Sequence, residues 1–273
     1  MNGDRRWRKE PGARLQGSRD LDRWKIQAPC VVRIPSGGFR LFYTAVGPAK
    51  PFPSCQGYLL SAVSEDGITF HPEPGIRLAP RPELPHMSLR VLSPTITSIA
   101  DGGWRMYFES RGSADRPTVI GSAVSSDLLI WELEDGIRLQ DPGGVGGPRY
   151  RPLPNGQGRL YCFRSEFGPG GLASGQHLSS SIVSAIAFDG LNFDFEPGYR
   201  LRDRQTNDDT AGITAAEVLV PQTTRDQWFM YYSAWQDVPP GTSIPRHPSL
   251  DPDAVSNGTS EDFAAASIAS DLS

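Results

Sequence analysis

One short turn occurs four times, the first three at a near-constant distance, and few folds accommodate that. Residues 125–131 read Ser-Ser-Asp-Leu-Leu-Ile-Trp; residues 64–70 read Ser-Glu-Asp-Gly-Ile-Thr-Phe, residues 188–193 Phe-Asp-Gly-Leu-Asn-Phe and residues 270–273 Ser-Asp-Leu-Ser. Each follows an alternating apolar run (59–63, 120–124, 182–186, 265–269), and three precede an aromatic and a second strand-like run. That order is strand, tight turn, strand: Asp bonds its own backbone in the turn and Gly tolerates positive φ. The turn aspartates stand at 66, 127, 189 and 271, spacings of 61, 62 and 82 residues. Such a period, filled with short strands, is the signature of a β-propeller. The long last period is explained by the segment 236–262.

Four strand-like runs fill each period. The innermost begins with runs such as 30–34, 95–99 and 217–220, and the second reads 39–44, 104–109, 159–164 and 228–233. The third precedes the marker turn. The outermost carries a recurring Gly-x-Arg-Leu ending, at 75–78, 136–139 and 198–201, and residues 12–15 repeat it at the start of the chain. One all-β domain over 1–273 is expected, with repeats at about 27–78, 92–139, 147–201 and 212–273. Residues 5–15 are expected to supply the outermost strand of the last blade, closing the ring and covering its edge.

Composition narrows function mainly by exclusion. A net charge of −4 with scattered basic residues offers no footprint for nucleic acid or a membrane surface. No apolar run approaches 18 residues and no basic-then-apolar leader follows Met1, so a cytoplasmic location is expected. Cys30, Cys55 and Cys162 are odd in number and read as small buried hydrophobes.

Loop length picks out the functional face. Connections 46–57, 79–92, 110–119, 140–148, 165–181, 202–212 and 235–262 are long and emerge on one face of a propeller; 35–38, 100–103, 154–158 and the marker turns are short and emerge on the other. Long loops on a rigid scaffold are where ligands usually bind. They gather His86, His177, His247, Arg90, Glu166, Asp208 and Asp209, with Arg149, Arg151 and Glu217 nearby on innermost strands. No two histidines share a short ligand spacing, so neither a metal nor another cofactor is expected. Arg149 and Arg151 bracket Tyr150, and alternation sends both guanidiniums to one side. There they would hold a polar ligand or pair with acidic neighbours. Tyr150, Phe167 and Trp235 are candidates to stack on a planar ligand or to pack between blades.

The marker turn resembles the one repeated in the five-bladed propeller glycosidases, the arabinanases, xylosidases, invertases and levansucrases; its Asp-Gly form is also similar to the aspartate box of sialidases. The resemblance implies five blades, where four repeats are countable. It also implies an Asp-Pro opening in the first innermost strand, a second Asp at an equivalent point and a Glu general acid on a later blade. Here the first opening reads Gln27-Ala28-Pro29 and the second Leu92-Ser93-Pro94, while Glu217 matches the general-acid place. The expected function is a glycosidase-like enzyme acting on a carbohydrate or similar polar small molecule at the central channel. Glu217 would be the acid, Asp208 or Asp209 its partner carboxylate, and Arg149, Arg151, Tyr150, Arg90, His86, His177 and Trp235 the binding residues. The alternatives are a lyase- or cyclase-type propeller and a catalytically inactive ligand-binding one.

Overall fold

The marker aspartates build the turns that their side chains allow. In a computed structural model, which describes residues 11–47, 55–100, 102–204, 212–219, 228–235 and 265–266, Asp66 Oδ1 accepts the N–H groups of Thr69 and Ile68, both at 2.8 Å. Asp127 does the same for Ile130 and Leu129, and Asp189 for Asn192 and Leu191. Bonds to the charged form hold Asp66 and Asp189 down at about 2. The next residue takes positive φ: Gly67 (73°), Gly190 (69°) and, without glycine's freedom, Leu128 (66°). A leucine there costs on the order of 1 kcal/mol. Burial of its side chain beside Phe42 and Trp131 offsets that cost.

Blade 1 comprises β1 (Ile26–Arg33), β2 (Phe39–Val46), β3 (Gly57–Ser64) and β4 (His71–Pro72). Blade 2 comprises β5 (Arg90–Ser98), β6 (Trp104–Arg111), β7 (Val119–Ser125) and β8 (Glu132–Leu133). Blade 3 holds β9 (Val145–Pro152), β10 (Gly158–Phe167), β11 (His177–Ala187), β12 (Asp194–Phe195) and β13 (Leu201–Arg202); blade 4 holds β14 (Gly212–Leu219), β15 (Phe229–Trp235) and β16 (Ala265–Ala266). Within each blade neighbouring strands are antiparallel, and one parallel pair, Gly57 with Arg90, joins blades 1 and 2.

Two features differ from the sequence reading. The innermost strands begin upstream of the apolar runs, because each passes through a bulge. The ladder skips a step between Gln27 and Cys30, Leu92 and Thr95, and Thr214 and Glu217 on β1, β5 and β14, and β9 shows the same irregularity opposite Tyr161 and Phe163. Proline follows three of the bulge residues, Ala28, Ser93 and Gly147, and reads as a strand break. The outermost strands are only two residues long, extended by isolated bridges Leu59 to Leu78 and Ile120 to Leu139.

The hydrophobic cores lie between blades. Val32, Phe42 and Leu59 of blade 1 pack on Met106, Phe108 and Trp131 of blade 2; Tyr107 and Ile120 of blade 2 pack on Leu160, Cys162 and Phe193 of blade 3; Ile182 and Leu201 of blade 3 pack on Ile213 and Ala216 of blade 4. Across the blades runs a repeated polar ladder. Arg40, Arg105 and Arg159 make two-point pairs with Glu73, Glu134 and Glu196 at 2.7 to 2.9 Å, and Ser61, Ser122 and Ser184 donate to the same carboxylates. Arg40 and Arg105 also reach into the next blade, donating to the carbonyls of Asp127 and Asp189. The marker turn is thus both a hairpin turn and the acceptor of an interblade clasp.

Residues 11–25 lie against blade 1. The Arg14 carbonyl accepts the Phe70 N–H (3.2 Å) at the marker turn of blade 1; the equivalent Arg77 meets the marker turn of blade 2 by donating its guanidinium to the Leu129 carbonyl. This is where the outermost strand of a preceding blade would lie; residues 5–10 and 267–273, needed for the expected closure, fall outside the described residues. The segment is pinned by Asp22, whose buried carboxylate accepts from the Ser18 and Arg19 N–H groups, the Arg19 guanidinium and the Tyr43 hydroxyl. Burial alone would raise this carboxyl; the Arg19 and Tyr43 bonds outweigh it and lower it. A depressed folded pKa adds stability that is present above the unfolded value, about 3.9, and lost as pH falls through the folded one. Asp22→Asn should therefore lower the melting temperature at neutral pH and flatten its dependence on pH below about 4, as read by thermal melts between pH 2 and 7.

Candidate functional site

Four residues with positive φ occupy equivalent bulge positions on the innermost strands: Ala28 (52°), Ser93 (53°), Gly147 (59°) and Ala215 (53°). Innermost strands surround the axis of a propeller, so these positions ring the channel. Non-glycine residues in this region store strain of order 1–3 kcal/mol each, and such strain concentrates at functional sites. None of the four carries a carboxylate.

Two steps along β9 and β14 from these bulges lies a charged cluster on the innermost strands. Arg149 Nε donates to Glu217 Oε2 at 2.9 Å, Arg151 donates to Glu217 Oε1, and Arg151 Nε also bonds the Val218 carbonyl at 2.7 Å. The two guanidiniums do point to one side, and their partner is Glu217. Both Glu217 oxygens are occupied as acceptors, the arrangement of a counter-ion; a general acid has to donate. On β1, burial pushes the Cys30 thiol up, and Arg149, Glu217 and Arg151 are close enough to act on it. Arg149 is 6% exposed, so Glu217→Ala would strand a buried guanidinium. Breaking a buried pair costs ~3–5 kcal/mol. Because the Glu217 side chain is 41% exposed, a loss of about 2 kcal/mol in chemical denaturation is expected here.

The other candidates do not converge on that cluster. Tyr150 turns the opposite way and stacks on Tyr107 (centroids 5.0 Å, 24° between planes), with Phe193 edge-on; it is interblade packing. Arg90 is buried and donates to the Cys55 carbonyl at 2.5 Å, tying blade 2 to blade 1. His86 sits in the loop before β5, where burial lowers its imidazole, and its carbonyl accepts the Ser110 hydroxyl. His177 is exposed at the start of β11, edge-on to Phe167 at 5.7 Å. Asp208, Asp209, His247 and the Trp235 side chain lie outside the described residues.

One residue passed over in the sequence reading stands out in the structure. Glu109, near the long-loop end of β6, is 7% exposed, and its Oε2 accepts the N–H of the bulge residue Gly147 at 3.0 Å. Burial pushes this carboxyl up, against the opposing pull of Arg111, the Gly147 N–H and Arg90. A side chain at Gly146 would collide with Glu109 Oε2, so the glycine makes room for the carboxyl. Superposing the repeats shows the anomaly: Thr44 of blade 1 makes the same strut to the Ser93 N–H at 2.8 Å, and Phe163 holds the place in blade 3. A strut needs an acceptor; a buried carboxyl is a costly way to supply one. A carboxyl shifted by burial next to a strained bulge is a functional candidate. The sequence signal was available in the aligned second strands, where Glu stands against Thr and Phe.

No protein-family model and no curated protein matches this chain. Solved structures do. A family 117 glycoside hydrolase of Zobellia galactanivorans is 16% identical, with a TM-score of 0.58 over 81% of this chain and 70% of that one. The β-1,2-mannobiose phosphorylase of Listeria innocua is 14% identical, with a TM-score of 0.58 over 76% of this chain and 67% of that one. The family 32 β-fructofuranosidase of Bombyx mori is 16% identical, with a TM-score of 0.54 over 81% of this chain and 44% of that one. The chain has the all-β fold of the five-bladed propeller glycoside hydrolases and phosphorylases.

Proposed function

We propose that the long-loop mouth of the channel, where β6 ends and β9 begins, is a carbohydrate site, and that Glu109 is the acid that protonates a glycosidic oxygen there. The observation that carries this reading is the buried Glu109 carboxyl bonded to the bulge at Gly147. A general acid must hold its proton at working pH and yield it to the leaving oxygen; burial is how proteins bring a carboxyl into that range. Glu217, held in place by Arg149 and Arg151, is the second carboxylate of the proposed site. Glu109 bonds Gly147 and Glu217 bonds Arg149, two residues apart along β9 or about 7 Å of strand. For the two to act as a glycosidase pair their carboxyl groups have to stand roughly 5–10 Å apart. The solved relatives act on glycosides by their names, which supports a glycoside as the substrate class.

A second reading, a propeller that binds a sugar without cleaving it, is favoured by the four bulge positions that lack carboxylates. A panel of nitrophenyl glycosides, assayed with water and with phosphate as acceptor, separates the two. Turnover lost in Glu109→Gln supports the acid assignment, and turnover indifferent to that change refutes it. Saturable sugar binding with no turnover establishes the second reading.

A further inference from the structure

Blade 3 carries a group of side chains on the long-loop face that the propeller does not require. Arg164 and Arg202 stand over the ring of Tyr199, at 5.2 and 4.3 Å from its centroid, with Glu166 beside them. In the corresponding places blades 1 and 2 have Ala45 and Ser110 for Arg164, Ala79 and Gln140 for Arg202, Ile76 and Ile137 for Tyr199, and Gly47 and Gly112 for Glu166. Blades 1 and 2 fold without these four residues, so their presence in blade 3 calls for another reason.

The guanidiniums are incompletely used. Glu166 oxygens accept the Ser179 and Tyr199 hydroxyls at 2.9 and 3.0 Å, while Arg164 and Arg202 stand 3.7 and 3.9 Å from that carboxylate, and Arg164 stands 4.0 Å from Asp141. Neither guanidinium donates a hydrogen bond to a described residue. The same sheet shows what a completed pair looks like: Arg159 grips Glu196 with two bonds at 2.7 and 2.8 Å. Arg164 and Arg202 side chains are 25% and 48% exposed, and Tyr199 is 38% exposed. One half-buried and one exposed guanidinium on a shared aromatic ring, neither closed into a two-point pair by Glu166 or Asp141, leave fork donors that an oxygen-rich anion can engage, and the ring offers an apolar face to a sugar.

We infer that Arg164, Arg202 and Tyr199 form a subsite for the anionic group, carboxylate or sulfate ester, of an acidic sugar. This rests on the carbohydrate reading of the same face and narrows its substrate class to acidic glycans. The test is calorimetric titration at low salt with trigalacturonic acid, its neutral methyl ester and galactose 6-sulfate. Trigalacturonic acid or the sulfated sugar should bind more tightly than the ester, less so at high salt. Arg164→Gln and Arg202→Gln should each weaken binding at least roughly tenfold, the scale of one charge-assisted bond, with melting temperature unchanged. Which anion binds identifies the source of the charge. Equal binding of acid and ester, or binding indifferent to both substitutions, overturns the inference. The Glu109→Gln variant separates it from the proposed reaction: it should keep arginine-dependent binding of the anionic sugar. Glu109-dependent turnover of neutral glycosides with no anion binding would sink this inference alone, and arginine-dependent anion binding with no turnover of any glycoside would sink the reaction alone.

Discussion

Truncating Tyr107 to alanine should cost about 3–5 kcal/mol of stability, the range for a buried aromatic cut to a methyl. The ring is fully buried between blades 2 and 3, stacked on Tyr150 and edge-on to Phe193 at 5.6 Å, and its hydroxyl donates to the Gly190 carbonyl at 2.8 Å. Alanine would open a cavity in the interblade core and release the marker turn of blade 3 together. Tyr107→Phe separates the two contributions. It keeps the packing and removes only the hydroxyl, so its loss should be about 1 kcal/mol. Urea unfolding reads both; equal losses for the two variants would mean that the clasp, and not the packing, holds the blades together.

Glu109→Gln should lower turnover by roughly 10²- to 10⁴-fold, the usual contribution of a positioned general acid. The fold should survive, because a glutamine oxygen can still accept the Gly147 N–H. Glu109→Thr is the sharper control: Thr44 shows that threonine serves as the strut at the equivalent point in blade 1. Both variants keep the bulge and lose the proton. Glu109→Ala also orphans a buried N–H and should add about 1–3 kcal/mol of destabilisation. The pH dependence has a definite sign. An acid works while protonated, so activity should fall as pH rises through the raised Glu109 value. In Glu109→Gln that descending limb should disappear.

Much of the architecture was legible because its signals are local. Asp66, Asp127 and Asp189 bond N–H groups two and three residues on, so the turn, the period and the loop-rich face follow from short stretches of chain. The common direction of Arg149 and Arg151 follows from strand alternation alone. The site was less legible because its contacts join distant blades. Glu217 meets its arginines across 66 and 68 residues, and nothing near it in sequence announces that pairing. Glu109 meets Gly147 across 38 residues, and nothing near it in sequence announces the meeting. Tyr150 had the composition of a stacking platform, but its neighbours Tyr107 and Phe193 arrive from other strands and enclose it. Comparing equivalent positions of the repeats exposes Glu109, and likewise the Arg164, Arg202 and Tyr199 group, as departures from what the blades need.

The most direct test of the account is the titration of the Glu109 carboxyl carbon by nuclear magnetic resonance, identified by its absence in Glu109→Gln. The account predicts a midpoint above the ordinary glutamate value of about 4.3, moving further when a glycoside binds. A midpoint at or below that value, unmoved by any sugar, would contradict it.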